Sequence, residues 1–424
     1  MVSGPLEGIR VLEFTQIIAG PFACQNLSDM GADVIKVEPP EGEPWRLASQ
    51  FMPGESKTFQ SLNRGKRSLV LDMARPEAQE VVHRLVPEMD VVVINYRPDV
   101  AERLRVDYPT LKALRPDLIY VDNTAFGRRG PWAGRPGYDI VVQGVSGLMA
   151  AEGKVDAESG APGIIVSVAI ADYATGLAMA WGVCAALYHR ERTGRGQLVE
   201  STLLQTAMAV QNSTVFDLPA ADEAAQMVMG DVTRLREEGH GYRDLVAAYS
   251  RGAWYKANIF YRGWETKDGA VVIGALSPPL REAARAALET DFLGSDDPDA
   301  DLLDEAWLEQ AQAWVREIEA KVREKTTAEW LEIFERHGVP CGPVRFPREL
   351  LDDPQVEANE MLVDLDHELS GPQRQVGPVL RMSDSPLAAR GPSPPLGRDT
   401  DAILVEAGYD TAAIAALREQ GAIA

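Results

Sequence analysis

Residues 9–38 read IRVLEFTQIIAGPFACQNLSDMGADVIKVE, and the fold turns on this stretch. Its start, IRVLEF, is short and apolar like a buried strand. PFACQNLSDMG has the length and closing glycine of a helix ending at Gly31, and ADVIKVE is a second strand. The rhythm continues outward. SLVLDM at 68–73 is a strand, ARPEAQEVVHRLVPEM at 74–89 a helix, DVVVINY at 90–96 a strand, YPTLKALRP at 108–116 a helix and LIYVDNTAF at 118–126 a strand. Strands alternating with helices predict a parallel sheet covered on both faces, an α/β fold with a Rossmann-like large domain. Ligands on such sheets sit beyond the carboxyl ends of the strands. The turn after the first strand, TQIIAGPFACQ, lacks G-x-G-x-x-G, which disfavours a nicotinamide or flavin dinucleotide.

At 424 residues the chain is long enough for two domains or more. Residues 1–215 are expected to form the first part of the large domain. The stretch 215–261 loses the alternation and reads as a linker, so 216–330 is taken as linker plus a smaller α+β domain. There GAVVIGAL is a strand and PPLREAARAAL a helix, followed by an acidic turn-rich segment at 295–304 and a helix near 306–325. TTAEWLEIFERHG begins with a capping signal and ends at Gly338. Residues 331–424 are expected to return to the large domain and to finish in a helical tail. The apolar run 173–187 reads as too short to cross a bilayer, and so as a buried core helix.

Acidic residues number 64 against 42 basic ones, a formal charge of −22 that argues against nucleic acid or an anionic membrane as partner. Any anionic ligand must then find a local cluster of cations. Cys24, Cys184 and Cys341 lie far apart without metal-ligand spacing, and the N-terminus lacks a signal-peptide pattern, so neither disulfides nor a metal is expected and the cytoplasm is the expected setting. GVSGL at 144–148 misses the last glycine of a nucleophile elbow, and NRGKRS at 63–68 lacks the upstream glycine of a phosphate loop.

The most informative oddity is Asp172, a charge between the apolar run GIIVSVAIA and the apolar helix YATGLAMAWGVCAALY. One reading is a helix N-cap, accepting backbone N–H bonds. The other is a nucleophile, held ionised by those same donors and the helix dipole beside a cleft floor; the two are compatible. Arg64, Lys66 and Arg67, with Arg97 and Arg103 about thirty residues on, flank strand ends and could clamp phosphates; equally, they could be surface cations, since Arg outnumbers Lys 33 to 9.

Taken together, PLEGIRVLEFTQIIAGPFACQNLSDMGADVIKVEPPEG, LNRGKRSLVLDM, NYRPDVAERL, GYDIVVQGVSGLM, ADYATGLAMAWGVCAALYHRERTGRGQLVESTLLQ, GVPCGPV and PPLGRDTDAIL resemble the class III coenzyme A transferases. That family includes formyl-CoA and carnitine CoA transferases and the related α-methylacyl-CoA racemases, and the resemblance covers nearly the whole chain. It implies Asp172 as catalytic aspartate. It implies further that Gln16, Ile17, Ile18 and Ala19 border the CoA thioester, that Asn95, Arg97 and Arg103 line the CoA site, and that Arg64, Lys66 and Arg67 lie near its nucleotide end. An interlaced homodimer with the site at the interface is also implied.

The chemistry so implied starts with Asp172 attacking an acyl-CoA carbonyl to form a mixed anhydride. CoA thiolate then attacks the aspartyl carbonyl, and a second acid reverses both steps. The racemase branch needs an acid/base pair and carries a His in G-H-D; here the positions are Gly137, Tyr138 and Asp139. A tyrosine with pKa near 10 suits proton exchange poorly. Tyr138 and Asp139 are instead expected to position the thioester or Asp172, or simply to pack. The segment RGAWYKANIFYRGWE replaces the family's glycine-rich loop, and LGRDT replaces L-G-E-H-T. Arg251 and Lys256, crowded by Trp254, Tyr255 and Phe260, suggest a filled pocket with a cation for a second carboxylate. The expected activity is thus CoA transfer to a short dicarboxylic acid of the succinate, malate or mesaconate type, between two molecules or within one dicarboxylyl-CoA. A racemase-type isomerase and a CoA-binding but catalytically silent subunit are the rival readings.

Overall fold

A computed structural model describes residues 4–165, 167–251, 257–301 and 303–423. Six strands, β1 (Arg10–Phe14), β2 (Asp33–Glu38), β3 (Arg67–Val70), β4 (Val91–Ile94), β5 (Ile119–Thr124) and β6 (Leu198–Thr202), form one sheet in the order β3-β2-β1-β4-β5-β6. Every pairing is parallel, with Leu12 opposite both Ile35 and Val92. The side chains of β1 alternate between two cores, as strand geometry requires. Leu12 and Phe14 join Ile35, Val92, Ile94 and Tyr120 in a core closed by Val81, Val82 and Leu85 of a helix at Pro76–Leu85 and by Ile403, Leu404, Ile414 and Leu417 near the C-terminus. Val11 joins Val34, Val91, Val93 and Val121 in the other, covered by α1 (Ala19–Asp29) and by a long helix, α2 (Ile170–Thr193). Each fully buried aliphatic side chain stabilises the fold by ~1.5–3 kcal/mol.

The long helix departs from expectation. It runs for 24 residues, ends in a left-handed cap at Gly194, and by length and composition could cross a membrane, as buried helices of soluble proteins also could. One face packs on α1 and the sheet through Thr175, Gly176, Met179, Ala180 and Val183, but Leu177, Trp181 and Tyr188 on the opposite face are 46%, 72% and 65% exposed.

Residues 4–154, 163–217 and 354–423 make one compact unit, and residues 155–162 and 218–353 the other. The second unit holds an antiparallel sheet of Tyr261–Glu265, Ala270–Gly274 and Cys341–Pro343 over a core that includes Trp264, Ile273, Val315, Trp330 and Phe334. Its end differs from the expected 330, because Cys341–Pro343 supplies the third strand of this sheet. The stretch read as a linker holds helices at Glu223–Glu237 and Tyr242–Tyr249. Thr326 and Glu329 form the expected capping box.

Candidate active site

Between β1 and β4 the strand order reverses direction, so the loops leaving the two strands diverge and open a crevice at their carboxyl ends. A cavity of about 90 Å³ lies there. Gln16 and Ile17 line it from the end of β1, Asn95, Tyr96 and Arg97 from β4, Thr124 to Phe126 from β5, and Leu203 from β6. Arg135, Gly137 and Tyr138 come from the loop before a helix at Asp139–Val145, here α3, and Asp172 completes the lining.

Asp172 is the third residue of α2, whose N-cap is Ala169; it therefore does not cap its own helix, as one reading of the sequence held. Asp139 does so from α3, its Oδ1 accepting from the N–H groups of Ala171 (2.8 Å) and Asp172 (3.2 Å). The other oxygen of Asp139 accepts from Gln143 Nε2 at 2.5 Å, and Gln143 Oε1 accepts from Ile165 N at 3.0 Å, which ties the cap to the backbone before α2. The Asp172 carboxyl is left to face the cavity. Burial, reinforced by the negative charge of Asp139, pushes its pKa up to about 7, and a hydrogen bond from the Ala19 N–H opposes the rise. A carboxyl poised near neutrality at a helix N-terminus can ionise and attack, yet is poorly solvated.

Facing Asp172, the segment after β1 is held from three sides. Gln16 N donates to Asn95 Oδ1 (3.1 Å) while Asn95 Nδ2 donates to Gln16 O (2.8 Å). Ile17 has φ +72° and donates its N–H to Glu43 Oε2 at 2.8 Å. Ile18 is the N-cap residue of α1, and Ala19 begins that helix. Gly176 lets α2 come close enough for contact: a Cβ there would lie 2.8 Å from Ala19 O.

Of the residues singled out from sequence, Gln16, Ile17, Asn95, Arg97, Tyr138 and Asp172 meet at the cavity, Asp139 braces Asp172, and Ile18 and Ala19 contribute backbone behind the lining. Arg103 is exposed and does not line the cavity. Arg64, Lys66 and Arg67 correct the expectation of a phosphate clamp at this cleft. Arg64 is 3% exposed, with a bidentate pair to Asp29 (3.0 and 2.6 Å) and a bond to Val376 O (2.6 Å). Lys66 is buried between Glu13, Asn63 and the Pro21 carbonyl. Arg67 binds Asp33 bidentately and Glu406 at 2.8 Å. Arg64 and Lys66 commit their donors to buried carboxylates and are not on offer to a ligand, whereas Arg67 and its partners Asp33 and Glu406 are part-exposed away from the cavity.

Arg251 is paired with Asp231, Phe260 lies in the core of the second unit, and Trp254, Tyr255 and Lys256 fall outside the described residues. The cation that sequence reasoning missed is Arg135. Its guanidinium stacks on Trp132, 4.3 Å from the ring centroid, and Trp132 meets Phe126 edge-on at 5.0 Å. Its position two residues before the Gly137-Tyr138-Asp139 triplet was the available signal. Among the described residues no group of His, Cys, Asp and Glu is arranged to hold a metal.

Residues 6–400 match the family described as CoA-transferase family III. The chain is 32% identical to a succinyl-CoA:glutarate CoA-transferase of Mus musculus, over 99% of this chain and 90% of that protein. It is 32% identical to a succinyl-CoA:mesaconate CoA-transferase of Haloarcula marismortui, over 96% of this chain and 98% of that one. Among solved structures, a CAIB/BAIF family protein from Brucella suis superposes with a TM-score of 0.72 at 30% identity, covering 96% of this chain and all of that one. The parallel sheet with a cleft at its reversal point, the carboxyl that opens into the cleft and these matches together make the chain an enzyme of CoA-transferase family III, which transfers coenzyme A.

Proposed function

We propose that this enzyme moves CoA between short dicarboxylic acids through a covalent intermediate on Asp172. The observation that carries the reading is the Asp172 carboxyl, pushed to about pKa 7 and opening into a cavity at a helix N-terminus. An Asp172 oxygen attacks the acyl-CoA carbonyl; the carbon–sulfur bond breaks, CoA leaves as thiolate, and a mixed anhydride forms. The thiolate then attacks the aspartyl carbonyl, releasing the first acid as carboxylate and leaving an aspartyl-CoA thioester. The incoming acid repeats the sequence in reverse. The Ala19 N–H, which reaches the Asp172 carboxyl, is suited to stabilise the oxyanion formed when the aspartyl carbonyl is attacked.

Tyr138 in place of histidine, with no histidine on the cavity wall among the described residues, favours transfer over racemisation. The relatives that act on glutarate and mesaconate favour a dicarboxylic acid, and Arg135, which makes no ion pair among the described residues, is a cation suited to the distal carboxylate. With succinyl-CoA as donor, glutarate, mesaconate and malate are expected to turn over. Arg135→Gln should raise KM for these acids ten- to hundredfold, the worth of ~1.5–3 kcal/mol for a charged hydrogen bond, and leave propionate unaffected. Equal loss for both acid classes, or for acyl-CoA alone, would reassign Arg135 to the coenzyme. Carbon label from added free acid should enter the thioester; an enzyme that moves CoA within one molecule shows no such exchange.

The exposed stripe Leu177–Trp181–Tyr188 belongs to a helix apolar on all sides, and such helices are covered on all sides. A second copy of the chain is the proposed cover, in keeping with an interlaced homodimer. Sedimentation should then give a particle of about twice 46.2 kDa, and Trp181→Glu should yield monomer; a monomeric wild-type chain contradicts the assembly. The free thiols of Cys24, Cys184 and Cys341 suit a reducing compartment, and we place the enzyme in the cytoplasm.

A further inference from the structure

Ile17 is a β-branched residue in a left-handed conformation, φ +72°, a state such side chains rarely adopt and one that persists only where the surroundings impose it. What imposes it here is a chain of buried charges behind the cavity. Glu43 accepts the Ile17 N–H on Oε2 at 2.8 Å, and its Oε1 lies 3.1 Å from Lys36 Nζ. Lys36 binds Glu13 (3.0 Å) and donates to Thr15 O at 2.8 Å. The second oxygen of Glu13 meets Lys66 at 2.8 Å, and Lys66 donates to Pro21 O at 2.9 Å. The network thus grips the backbone before, at and after the bend, at Thr15, Ile17 and Pro21. Its four charged side chains are at most 2% exposed, and none of them lines the cavity.

Burying four charges is an expensive way to stabilise a fold, since apolar side chains of like volume often do as well. What charges add is direction: a carboxylate fixed by an ammonium can hold one N–H at one angle. Here that N–H belongs to a residue of the cavity wall, two positions before the Ala19 N–H that reaches Asp172.

We infer that Glu43 is a positioning residue, which holds Ile17 in its left-handed conformation and so aims the Ala19 N–H, two residues on, at Asp172. It acts through Ile17 and touches no substrate. The inference rests on Asp172 being the nucleophile.

The test is a double-mutant cycle on the full-length enzyme, reading kcat and the KM for acyl-CoA. Glu43→Ala should lower kcat ten- to hundredfold with KM changed less than about threefold, because the cavity wall keeps its side chains. Glycine adopts positive φ without strain, so in an Ile17→Gly background the same Glu43→Ala change should cost less than about threefold. If Glu43→Ala costs as much in the glycine background as in the native one, Glu43 does not act through the Ile17 conformation and the inference fails. Should Glu43→Ala not fold, Glu43→Gln takes its place: it loses the charge that Lys36 fixes, so kcat should fall in the native background and less than about threefold in the Ile17→Gly background, and an equal loss in both overturns the inference. A mistaken assignment of the nucleophile would show separately, as turnover that survives Asp172→Ala.

Discussion

Asp172→Ala is expected to lower CoA transfer by about 10⁴-fold or more, the scale on which loss of a covalent nucleophile is felt. Acyl-CoA binding should persist, since Asn95, Arg97, Arg135 and the backbone of residues 16–19 remain. Asp172→Asn should be equally inactive, because an amide can keep the Ala19 hydrogen bond but cannot form the anhydride. On the proposed mechanism only the Asp172 carboxylate attacks, so kcat/KM should rise with pH through about 7. Asp139→Asn retains an oxygen to cap α2 and removes the charge that helps raise Asp172, and should move that limb to lower pH. The stability consequence has the opposite sense. With a folded pKa of about 7 against 3.8 for the free group, the fold favours the protonated acid, and stability is lost as pH climbs from about 4 to about 7. Asp172→Asn removes that penalty, on the order of 4 kcal/mol. Its Tm should exceed that of the wild type at pH 8 and match it near pH 4; an equal shift at both would mean that the carboxyl is not destabilised by burial.

Gly176→Val is expected to be the most damaging substitution away from the cavity wall. The added Cβ would sit 2.8 Å from Ala19 O, 2.9 Å from Phe22 Cδ1 and 3.4 Å from Ala23 N, so α1 must move away from α2. A backbone oxygen cannot rotate aside as a side chain can, and overpacking of this kind costs ~1–3 kcal/mol. Movement of α1 also carries the Ala19 N–H away from Asp172, so kcat should fall at least tenfold beyond any loss of folded protein. Gly182→Ala on the same helix is the control. Its Cβ meets only Val199 Cγ1, at 3.1 Å, and both Tm and kcat should change little. Equal effects at the two positions would mean that the α1–α2 approach does not matter to the site.

The parallel sheet was legible because its strands are short apolar runs; Val91–Ile94 is buried throughout, and β1 feeds both cores by alternation. Asp172 was legible as a charge between two apolar runs. Its cap was not, because Asp139 lies 33 residues earlier and meets α2 only through the fold. Arg64 and Lys66 misled for a related reason. A cation beside a strand looks like a surface group until its partner is known, and Asp29 and Glu13 are themselves fully covered. The apolar run 173–187 reads as a buried core helix, yet one chain alone leaves the Trp181 stripe in the open, because sequence does not show which apolar face a second surface covers. Glu43 and Arg135 passed unnoticed among Pro- and Gly-rich loops, where no periodicity marks which polar side chain turns inward.

The most direct measurement is peptide mapping by mass spectrometry after the enzyme meets succinyl-CoA and is quenched with hydroxylamine or borohydride. The expected result is a single modified site at Asp172: a hydroxamate after hydroxylamine, or the corresponding alcohol after borohydride. An adduct on another residue, or full turnover with solvent deuterium entering the carbon beside the thioester and no acyl group trapped on the protein, would contradict covalent transfer through this carboxyl.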